Sequence, residues 1–264
     1  MTRAKVLVLG AGFTGERVAR RLEARGHEVV RTRSSNLPLP DVSPLRELRG
    51  SEWLVLHSIP LVRSAAGLVD PTPWLLEALA GKARRLVYLS TTGVYGAAVE
   101  VNETTPVAPR TPRERLRVDA EVAVAAFDAA TLVLRPAAIY GPGRGAHVSI
   151  REGTWRIGGD GGNHMSRVHV EDLAALAEAA LFTDLEGAYP VADEEPCTSR
   201  EVTEFCCSLL GLPIPASVDP AELDETRRAN RRVDGRAVCR ALGVSLRHPS
   251  YRVGIPACLT EEPR

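Results

Sequence analysis

The residues with the clearest capacity for chemistry lie at positions 10–15, where Gly-Ala-Gly-Phe-Thr-Gly follows an apolar run at 6–9 and precedes a helical pattern at 16–25. In a GxGxxG turn, the first glycine permits a tight bend and the second lets the backbone approach a pyrophosphate. The third lets helix and strand pack closely, and the helix N-terminus offers unpaired N–H groups to phosphates. Because the turn lies between a strand and a helix, we predict a dinucleotide-binding loop. Its residues are Gly10, Gly12, Phe13, Thr14 and Gly15.

The residues after the second predicted strand, at 27–30, indicate which dinucleotide is bound. An NAD site usually carries an acidic residue there for the ribose hydroxyls. This chain instead has Arg-Thr-Arg-Ser-Ser at 31–35, and guanidinium and hydroxyl groups suit a 2′-phosphate. We therefore predict NADP. NAD is the alternative if these arginines only reflect a composition in which the 33 basic residues include two lysines, Lys5 and Lys82. The residues expected to hold the phosphate are Arg31, Arg33 and Ser34.

Short apolar runs alternate with amphipathic stretches, which is typical of an α/β fold. Continuous apolar strands separated by helices indicate a parallel sheet covered on both faces, so we expect a Rossmann-type doubly wound sheet with a small C-terminal substrate lobe. Strands are predicted at 6–9, 27–30, 53–56, 86–89, 132–134 and 188–191, and helices at 16–25, 73–79, 115–130, 170–181, 199–210 and 236–242. We assign 1–142 to the Rossmann domain, with its sheet completed by 163–195, and we assign 143–162 and 196–264 to the lobe, in which 213–230 is expected to be a loop.

Length and composition limit the classes of function. The 264 residues can bury a sizeable core, and the formal net charge of zero gives no indication of a nucleic-acid or membrane partner. The N-terminal apolar run is too short for a signal peptide and no stretch approaches the length of a membrane-spanning helix, so we expect a cytoplasmic protein. The five cysteines form no CxxC pair and no HxxxH is present, so we expect reduced thiols and no metal site.

Four further segments carry family-like patterns. They are Leu-Ser-Thr-Thr-Gly-Val-Tyr-Gly at 89–96, Leu-Arg-Pro-Ala-Ala-Ile-Tyr-Gly-Pro-Gly at 134–143, Arg-Val-His-Val-Glu-Asp-Leu at 167–173 and Pro-Ser-Tyr-Arg-Val-Gly at 249–254. In order and spacing they resemble the extended short-chain dehydrogenase/reductase superfamily, and within it the NAD-dependent epimerase/dehydratase family. The resemblance implies that a hydroxyl at the end of the fourth strand polarises the substrate, and the matching residue here is Thr91.

The resemblance also implies a YxxxK pair, in which tyrosine transfers a proton and lysine binds the nicotinamide ribose. Counting back from Glu121, these two positions hold Arg113 and Arg117. A shifted pair is impossible, because no tyrosine lies between Tyr95 and Tyr140 and no lysine follows position 82. Arginine stays protonated and cannot be a general acid near neutral pH. We expect Arg113 to clamp a substrate carboxylate or phosphate and Arg117 to donate to the ribose; the alternative is that both belong to a solvated helix start.

Other residues offer weaker candidates. Tyr95 is the first candidate to replace the missing acid, and Tyr140 is the second, although it more often packs in its motif. His164 falls in the predicted substrate segment, where a histidine contacts ligand or is simply solvated. His169 and Asp172 are expected to fix the start of a helix, with Asp172 near its N-cap.

Two classes of function fit these observations. The first is an NADP(H)-dependent oxidoreductase or epimerase/dehydratase-like enzyme, which binds a small polar carbonyl compound or nucleotide sugar and moves hydride near Thr91. The second is a non-catalytic dinucleotide-binding sensor or scaffold, because Arg113 and Arg117 replace the expected pair. A methyltransferase with a similar glycine loop is disfavoured by the later patterns. The resemblance also points to a homodimer formed by the helices at 73–79 and 115–130.

Overall fold

A six-stranded parallel sheet forms the centre of the molecule in the computed structural model, which describes residues 3–65 and 67–262. Its strands are β1 (Lys5–Leu9), β2 (Glu28–Arg31), β3 (Trp53–His57), β4 (Ala83–Leu89), β5 (Ala130–Pro136) and β6 (Gly187–Val191). All five residues of β3 are buried. A strand covered on both faces needs a continuous apolar run rather than alternation, which is the pattern seen in the sequence.

Helices cover both faces of this sheet. The helices of the described residues are α1 (Gly15–Ala24), α2 (Ser43–Arg46), α3 (Thr72–Leu79), α4 (Pro112–Ala125), α5 (Ala146–Arg151), α6 (Val170–Leu181), α7 (Ser199–Leu210), α8 (Glu225–Arg228), α9 (Arg236–Leu242) and α10 (Tyr251–Glu261). The helices α1, α3, α4, α6 and α9 are among those that cover the sheet. Val18 of α1, Leu173 of α6 and Val238 of α9 lie in the core on one face. Leu75 of α3 and Val124 of α4 lie in the core on the other. The expected doubly wound α/β fold is confirmed. Among the described residues, no helix is long and apolar enough to span a membrane.

The strand order places a crevice at the end of β1. The order across the sheet is β2-β1-β3-β4-β5-β6, so the chain runs to one side from β1 to β2 and to the other side from β3 onward. Only the four-residue α2 and loops occupy the connection between β2 and β3. In a doubly wound sheet, ligands bind at the carboxyl ends of the strands where the order reverses. The predicted phosphate loop lies at this point.

A smaller lobe is built from α5, α7 and α10, whose apolar side chains pack around Trp155 and Tyr251. Short ladders hold the lobe together and join it to the sheet domain. They pair Ala138–Tyr140 with Arg167–His169, Ile157–Gly158 with Ser217–Val218, His164–Met165 with Cys197–Thr198, and Glu100–Val101 with Arg232–Val233, while a separate hairpin pairs Val62–Ser64 with Gly67–Val69. One assignment changes: α9, which we placed in the lobe, packs against α6 and β6 of the sheet domain, because Val238 is fully buried there.

Two predicted elements differ from the observed ones. The helix predicted at 115–130 begins at Pro112, because Thr111 and Glu114 form a capping box. Thr111 Oγ1 accepts a hydrogen bond from the Glu114 N–H (3.3 Å), and the Glu114 carboxylate accepts one from the Thr111 N–H (3.1 Å). The segment 213–230, predicted to be a loop, contains the strand Ser217–Val218, the 3₁₀ turn Pro220–Glu222 and α8.

The start of α1 touches the turn before it, and this contact depends on Gly15. A Cβ on Gly15 would lie 2.3 Å from the Gly10 carbonyl oxygen and 2.9 Å from Ser58 Oγ. A Cβ on Gly12 would meet nothing within 4 Å. Gly10 has a φ of +84°, a backbone conformation that favours glycine. Packing therefore requires Gly15, backbone geometry requires Gly10, and Gly12 leaves open space beside the turn.

We expect Gly15→Ala to lower the free energy of unfolding by about 1–3 kcal/mol, because the added methyl group must displace backbone atoms. Gly12→Ala, the matched control, should change it by less than about 1 kcal/mol, because its methyl group meets no neighbour. Urea denaturation of both variants measures the difference. Equal losses in the two variants would contradict the close contact at Gly15.

Candidate functional site

A cavity of about 860 Å³ lies at the carboxyl ends of β1 and β3, and we refer to it as the cofactor cavity. Its walls come from the predicted phosphate loop, from 32–34 after β2 and from 58–60 after β3. The predicted loop residues Gly10, Gly12, Phe13 and Thr14 line it. Gly15 lies behind them, in the first turn of α1, where it makes the close approach possible.

The N-terminus of α1 faces this cavity without a side-chain cap. Thr14 is the N-cap residue, and its side chain makes no capping hydrogen bond. The Glu16 and Arg17 N–H groups donate to the carbonyls of Gly12 and Thr14, so the N–H groups of 13–15 and the positive end of the helix dipole are what the turn offers to an anion. The open space beside Gly12 lets a phosphate approach the backbone. These features fit the pyrophosphate of a dinucleotide.

The arginines after β2 occupy two different positions. Arg33 lines the cofactor cavity; its Nε donates to the Ala11 carbonyl (3.1 Å) and its Nη2 donates to Glu16 Oε2 (2.6 Å). Arg31 does not line the cavity, because it pairs with Glu23 (2.7 Å) and lies 3.7 Å from Glu16. The expectation that Arg31 and Arg33 lie side by side at the cavity is corrected: Arg33 lines it, and Arg31 points to α1. Ser34, the third predicted residue, lines the cavity.

A second cavity of about 840 Å³, which we call the substrate cavity, meets the first. The wall residues common to both are Ser90, Arg117, Pro136, Ile139 and Arg144. Thr91, at the end of β4, lines the substrate cavity beside this junction. Its Oγ1 accepts a hydrogen bond from the Gly93 N–H (3.1 Å), which leaves its own hydroxyl proton for a ligand.

The wall of the substrate cavity is rich in positive charge. Its charged residues are Arg110, Arg113, Arg117, Arg144, Arg228, Arg231, Glu114 and Glu225. The Glu114 carboxylate accepts hydrogen bonds from backbone N–H groups at its capping box, so its acceptor capacity is partly used. Arg231 donates to the carbonyls of Gly96 and Ala98 and thereby holds the cavity wall. The remaining guanidinium groups suit a carboxylate or phosphate.

Neither candidate tyrosine lines a cavity. Tyr95 is fully buried, and its hydroxyl accepts a hydrogen bond from Arg135 Nη1 (3.0 Å). Burial raises the pKa of Tyr95 despite this hydrogen bond. Tyr140 donates to the Ser250 carbonyl (3.4 Å) within the lobe core, and burial also raises its pKa. The interpretation of Tyr95 as the replacement acid is therefore corrected: its hydroxyl lies behind the cavity wall.

The two arginines at the YxxxK positions differ in environment. Arg113 is exposed at the rim of the substrate cavity, where it can reach a substrate anion. Arg117 is buried at the junction, so it does not belong to a solvated helix start. Its Nη1 donates to Asp70 Oδ2 (3.0 Å) and to Tyr88 Oη (2.6 Å).

The histidine candidates have structural partners. His164 lines the substrate cavity and lies 3.0 Å from Arg232 Nη2. His169, and not Asp172, is the N-cap of α6, and its Nδ1 accepts from the Glu171 N–H (3.3 Å). Asp172 instead accepts hydrogen bonds from the N–H groups of 247 and 248, which ties the C-terminal segment to α6.

One buried group missed in the sequence stands beside Thr91. Ser90 lines both cavities, and its hydroxyl donates to Glu121 Oε1 (2.5 Å). Arg135 Nη2 donates to the other oxygen of the Glu121 carboxylate (2.6 Å). The Leu-Ser-Thr-Thr pattern was the available signal, but spacing selects Thr91 from it and assigns nothing to Ser90.

A second missed group backs Arg117 from the other side. Asp70 Oδ1 accepts from Thr72 Oγ1 (2.5 Å), and Thr72 Oγ1 lies 2.9 Å from His57 Nε2. The Ile59 N–H donates to His57 Nδ1 (3.3 Å), so the ring proton lies on Nε2. Burial is the main cause that lowers the pKa of His57 to about 3, with Asp70 opposing it and Arg117 adding to it. His57 is therefore neutral at physiological pH.

Comparison of the sequence with known proteins gives a matching family model and several relatives. The sequence model described as the NAD dependent epimerase/dehydratase family matches residues 72–190. A 2-alkyl-3-oxoalkanoate reductase from Stenotrophomonas maltophilia is 29% identical over a gapped alignment of 253 positions, which covers 79% of this chain and 76% of that protein. A 3-diazoavenalumate denitrifying reductase from a Streptomyces species is 28% identical over a gapped alignment of 304 positions, which covers 95% of this chain and 99% of that protein.

Solved structures extend the similarity over the whole chain. A conserved protein of unknown function from Silicibacter pomeroyi is 32% identical, with a TM-score of 0.83 over 99% of this chain and 100% of that one. MoeE5, solved in complex with UDP-glucose and NAD, is 22% identical, with a TM-score of 0.79 over 97% of this chain and 98% of that one. At that identity the second similarity shows the fold alone.

The buried His57 predicts an acid-sensitive stability. The free side chain has a pKa of 6.5, and burial lowers it to about 3 in the folded state. As the pH falls from 6.5, the unfolded chain binds a proton that the folded protein excludes, so stability is lost. We expect His57→Gln to flatten the slope of unfolding free energy against pH by about 1.4 kcal/mol per unit between pH 6 and 4. Urea denaturation across this range measures both slopes, and parallel curves would contradict the prediction.

Proposed function

We propose that this chain, which belongs to the NAD-dependent epimerase/dehydratase family of the extended short-chain dehydrogenase/reductase superfamily, is an NADP(H)-dependent oxidoreductase of a small anionic carbonyl substrate. The observation that carries the proposal is the junction at Arg117, where a cavity suited to a dinucleotide opens into a cavity walled by arginines. A bound nicotinamide cofactor supplies hydride to, or accepts it from, the substrate carbon.

The chain's own residues would hold the cofactor along the crevice. The phosphate loop and the α1 N-terminus bind the pyrophosphate, and Arg33 and Ser34 bind the adenosine end. The cofactor cavity continues past 58–60 to the junction, where Arg117 lines it. Arg117 would there donate hydrogen bonds to the nicotinamide ribose.

The substrate is positioned from the other cavity. The Thr91 hydroxyl donates a hydrogen bond to the carbonyl oxygen and polarises it, since its acceptor role is filled by the Gly93 N–H. Arg113 pairs with the anionic end of the substrate. No tyrosine within the described ranges lines the substrate cavity, so water takes the place of the family tyrosine as the proton donor.

This assignment favours a reductase over an epimerase or dehydratase. Those reactions need a side chain that removes and returns a proton within one active site. The described cavity wall offers no tyrosine for that task, and its His164 lies 3.0 Å from the Arg232 guanidinium group, which disfavours a second positive charge. Two of the curated relatives, those from Stenotrophomonas maltophilia and Streptomyces, are named as reductases, and both names describe substrates that carry a carboxylate. A nucleotide sugar satisfies the same positive wall through its pyrophosphate and stays a second substrate class.

The second candidate function is a dinucleotide-binding sensor or scaffold without turnover. The observation that favours it is arginine at both YxxxK positions, which removes the family's proton donor. The two functions share the cofactor cavity and differ at the substrate cavity, so experiments on substrate distinguish them.

Substrate turnover tests the function directly. We expect NADPH consumption with 3-oxo acids or phosphate-bearing carbonyl compounds, and little with their neutral methyl esters. Arg113→Ala should raise KM about 10-fold or more by removing a charge-assisted hydrogen bond. Arg115→Ala, an exposed arginine on the same helix that lies outside the cavity wall, serves as the matched control. Tight NADPH binding without turnover of carbonyl compounds or UDP-sugars would favour the sensor.

Cofactor choice depends on Arg33. We expect Arg33→Ala to weaken NADPH binding about 10-fold and NADH binding less than about twofold, because only NADPH carries the 2′-phosphate. Arg31→Ala is the matched control and should affect both cofactors little, because Arg31 pairs with Glu23 outside the cavity. Calorimetry with each cofactor gives the affinities. A similar loss for NADPH and NADH in Arg33→Ala would contradict the assignment of NADP.

A further inference from the structure

Only part of the Arg117 guanidinium group is hydrogen-bonded to other residues. Nη1 donates to Asp70 and Tyr88, whereas Nη2 and Nε make no hydrogen bond among the residues that the structure describes. The residue lines both cavities. Its unpaired donors are therefore placed at the junction, where they can bind a ligand. The direction in which they point is set by what holds Nη1.

Asp70 is itself anchored on both carboxylate oxygens. Oδ1 accepts from the Thr72 N–H (2.9 Å) and from Thr72 Oγ1 (2.5 Å), while Oδ2 accepts from Arg117 (3.0 Å). The carboxylate is buried, with 7% of the residue exposed. It therefore lies in one orientation, fixed by the start of α3 rather than by solvent. Asp70 lines neither cavity, so it acts on a ligand only through Arg117.

The anchoring continues to the phosphate-binding side of the fold. His57 Nε2 donates to Thr72 Oγ1, and the Ile59 N–H donates to His57 Nδ1. Ile59 follows β3 and lines the cofactor cavity. Because His57 is neutral, Asp70 and Arg117 are the two charged members of this buried hydrogen-bond network. Their opposite charges balance.

We propose that Asp70 is a positioning residue for the cofactor: with Thr72 and His57 behind it and Tyr88 beside it, it orients Arg117 toward the nicotinamide half of the bound dinucleotide. This inference rests on the proposed function, because it assumes that the dinucleotide passes the junction. It adds a requirement that no local motif contains, since Asp70 lies far in sequence from the glycine loop and is 47 residues before Arg117 of α4. The nicotinamide end is then recognised by a preorganised cation, whereas the adenosine end is recognised by Arg33 on the surface.

Two nucleotide probes separate the two ends. NADPH contains the nicotinamide half, and adenosine 2′,5′-bisphosphate lacks it. We expect Asp70→Asn to weaken NADPH binding about 10-fold, because the charge that orients Arg117 is lost, and to change bisphosphate binding less than about twofold. Glu77→Gln is the matched control: Glu77 is an exposed acid of α3 that pairs with Arg46, and neither probe should detect its loss. Calorimetry on the full chain, as wild type and as both variants, each with both probes, gives the six affinities.

Tyr88→Phe is a second test for the case in which Asp70→Asn does not fold. It keeps the buried charge pair of Asp70 and Arg117 and removes one hydroxyl that Arg117 donates to. It should weaken NADPH binding about threefold and leave bisphosphate binding unchanged. In the Arg117→Met background, Asp70→Asn should cause no further loss of NADPH affinity, since Asp70 acts through Arg117.

Equal weakening of both probes, unchanged NADPH affinity, or an additional loss in the Arg117→Met background would each overturn the role of Asp70. A wild-type chain that binds bisphosphate and NADPH with equal affinity would overturn it as well, while leaving dinucleotide binding intact. Failure to bind either probe would instead remove the proposed function and the inference with it.

Discussion

The backbone contact between Gly10 and Gly15 determines how closely α1 approaches β1. At 2.3 Å from the Gly10 carbonyl oxygen, the Cβ position of Gly15 is too close for any side chain. This approach brings the start of α1 to the carboxyl end of the sheet, where the strand order reverses between β2 and β3. The phosphate loop, the Arg33 wall and the loop after β3 all face one cavity, and Gly15 permits the close approach of the helix that brings them together. The close approach at Gly15 thus determines where one end of a bound dinucleotide would lie. The length of the dinucleotide determines where its other end would lie.

Two buried hydrogen-bond networks lie on either side of the junction between the two cavities, where the other end of the dinucleotide would lie. On one side Ser90, Glu121 and Arg135 connect β4, α4 and β5, and on the other Asp70 and Arg117 connect the start of α3 with α4. Both include a carboxylate paired with an arginine in the interior. Removing one partner of such a pair leaves an uncompensated buried charge, which is strongly destabilising. Each network therefore holds its part of the cavity wall through a buried charge pair.

Sequence reasoning succeeded where the determining contacts are local. The glycine loop, the order of strands and helices and the position of Thr91 follow from patterns within a few residues. It failed where the partner is distant: the direction of Arg31 depends on Glu16 and Glu23, and the burial of Arg117 depends on Asp70, 47 residues earlier. Tyr95 faces Arg135, which is 40 residues away. The early start of α4 is different, since its capping box is local and could have been recognised from Thr111 and Glu114.

The ladder between Glu100–Val101 and Arg232–Val233 closes one side of the substrate cavity with main-chain hydrogen bonds. The Arg232 and Asp234 N–H groups donate to the carbonyls of Val99 and Val101, each at 2.7 Å, and Arg231 donates to the carbonyls of 96 and 98. Widening the cavity on this side would break these bonds together. The breadth of the substrate cavity on this side is therefore set by main-chain hydrogen bonds, while its charge is set by side chains at the rim. Substitutions at the rim can therefore change which charged end group is accepted without changing how thick a molecule fits. Selection by ligand thickness depends on the fold, and selection by ligand charge depends on a few side chains.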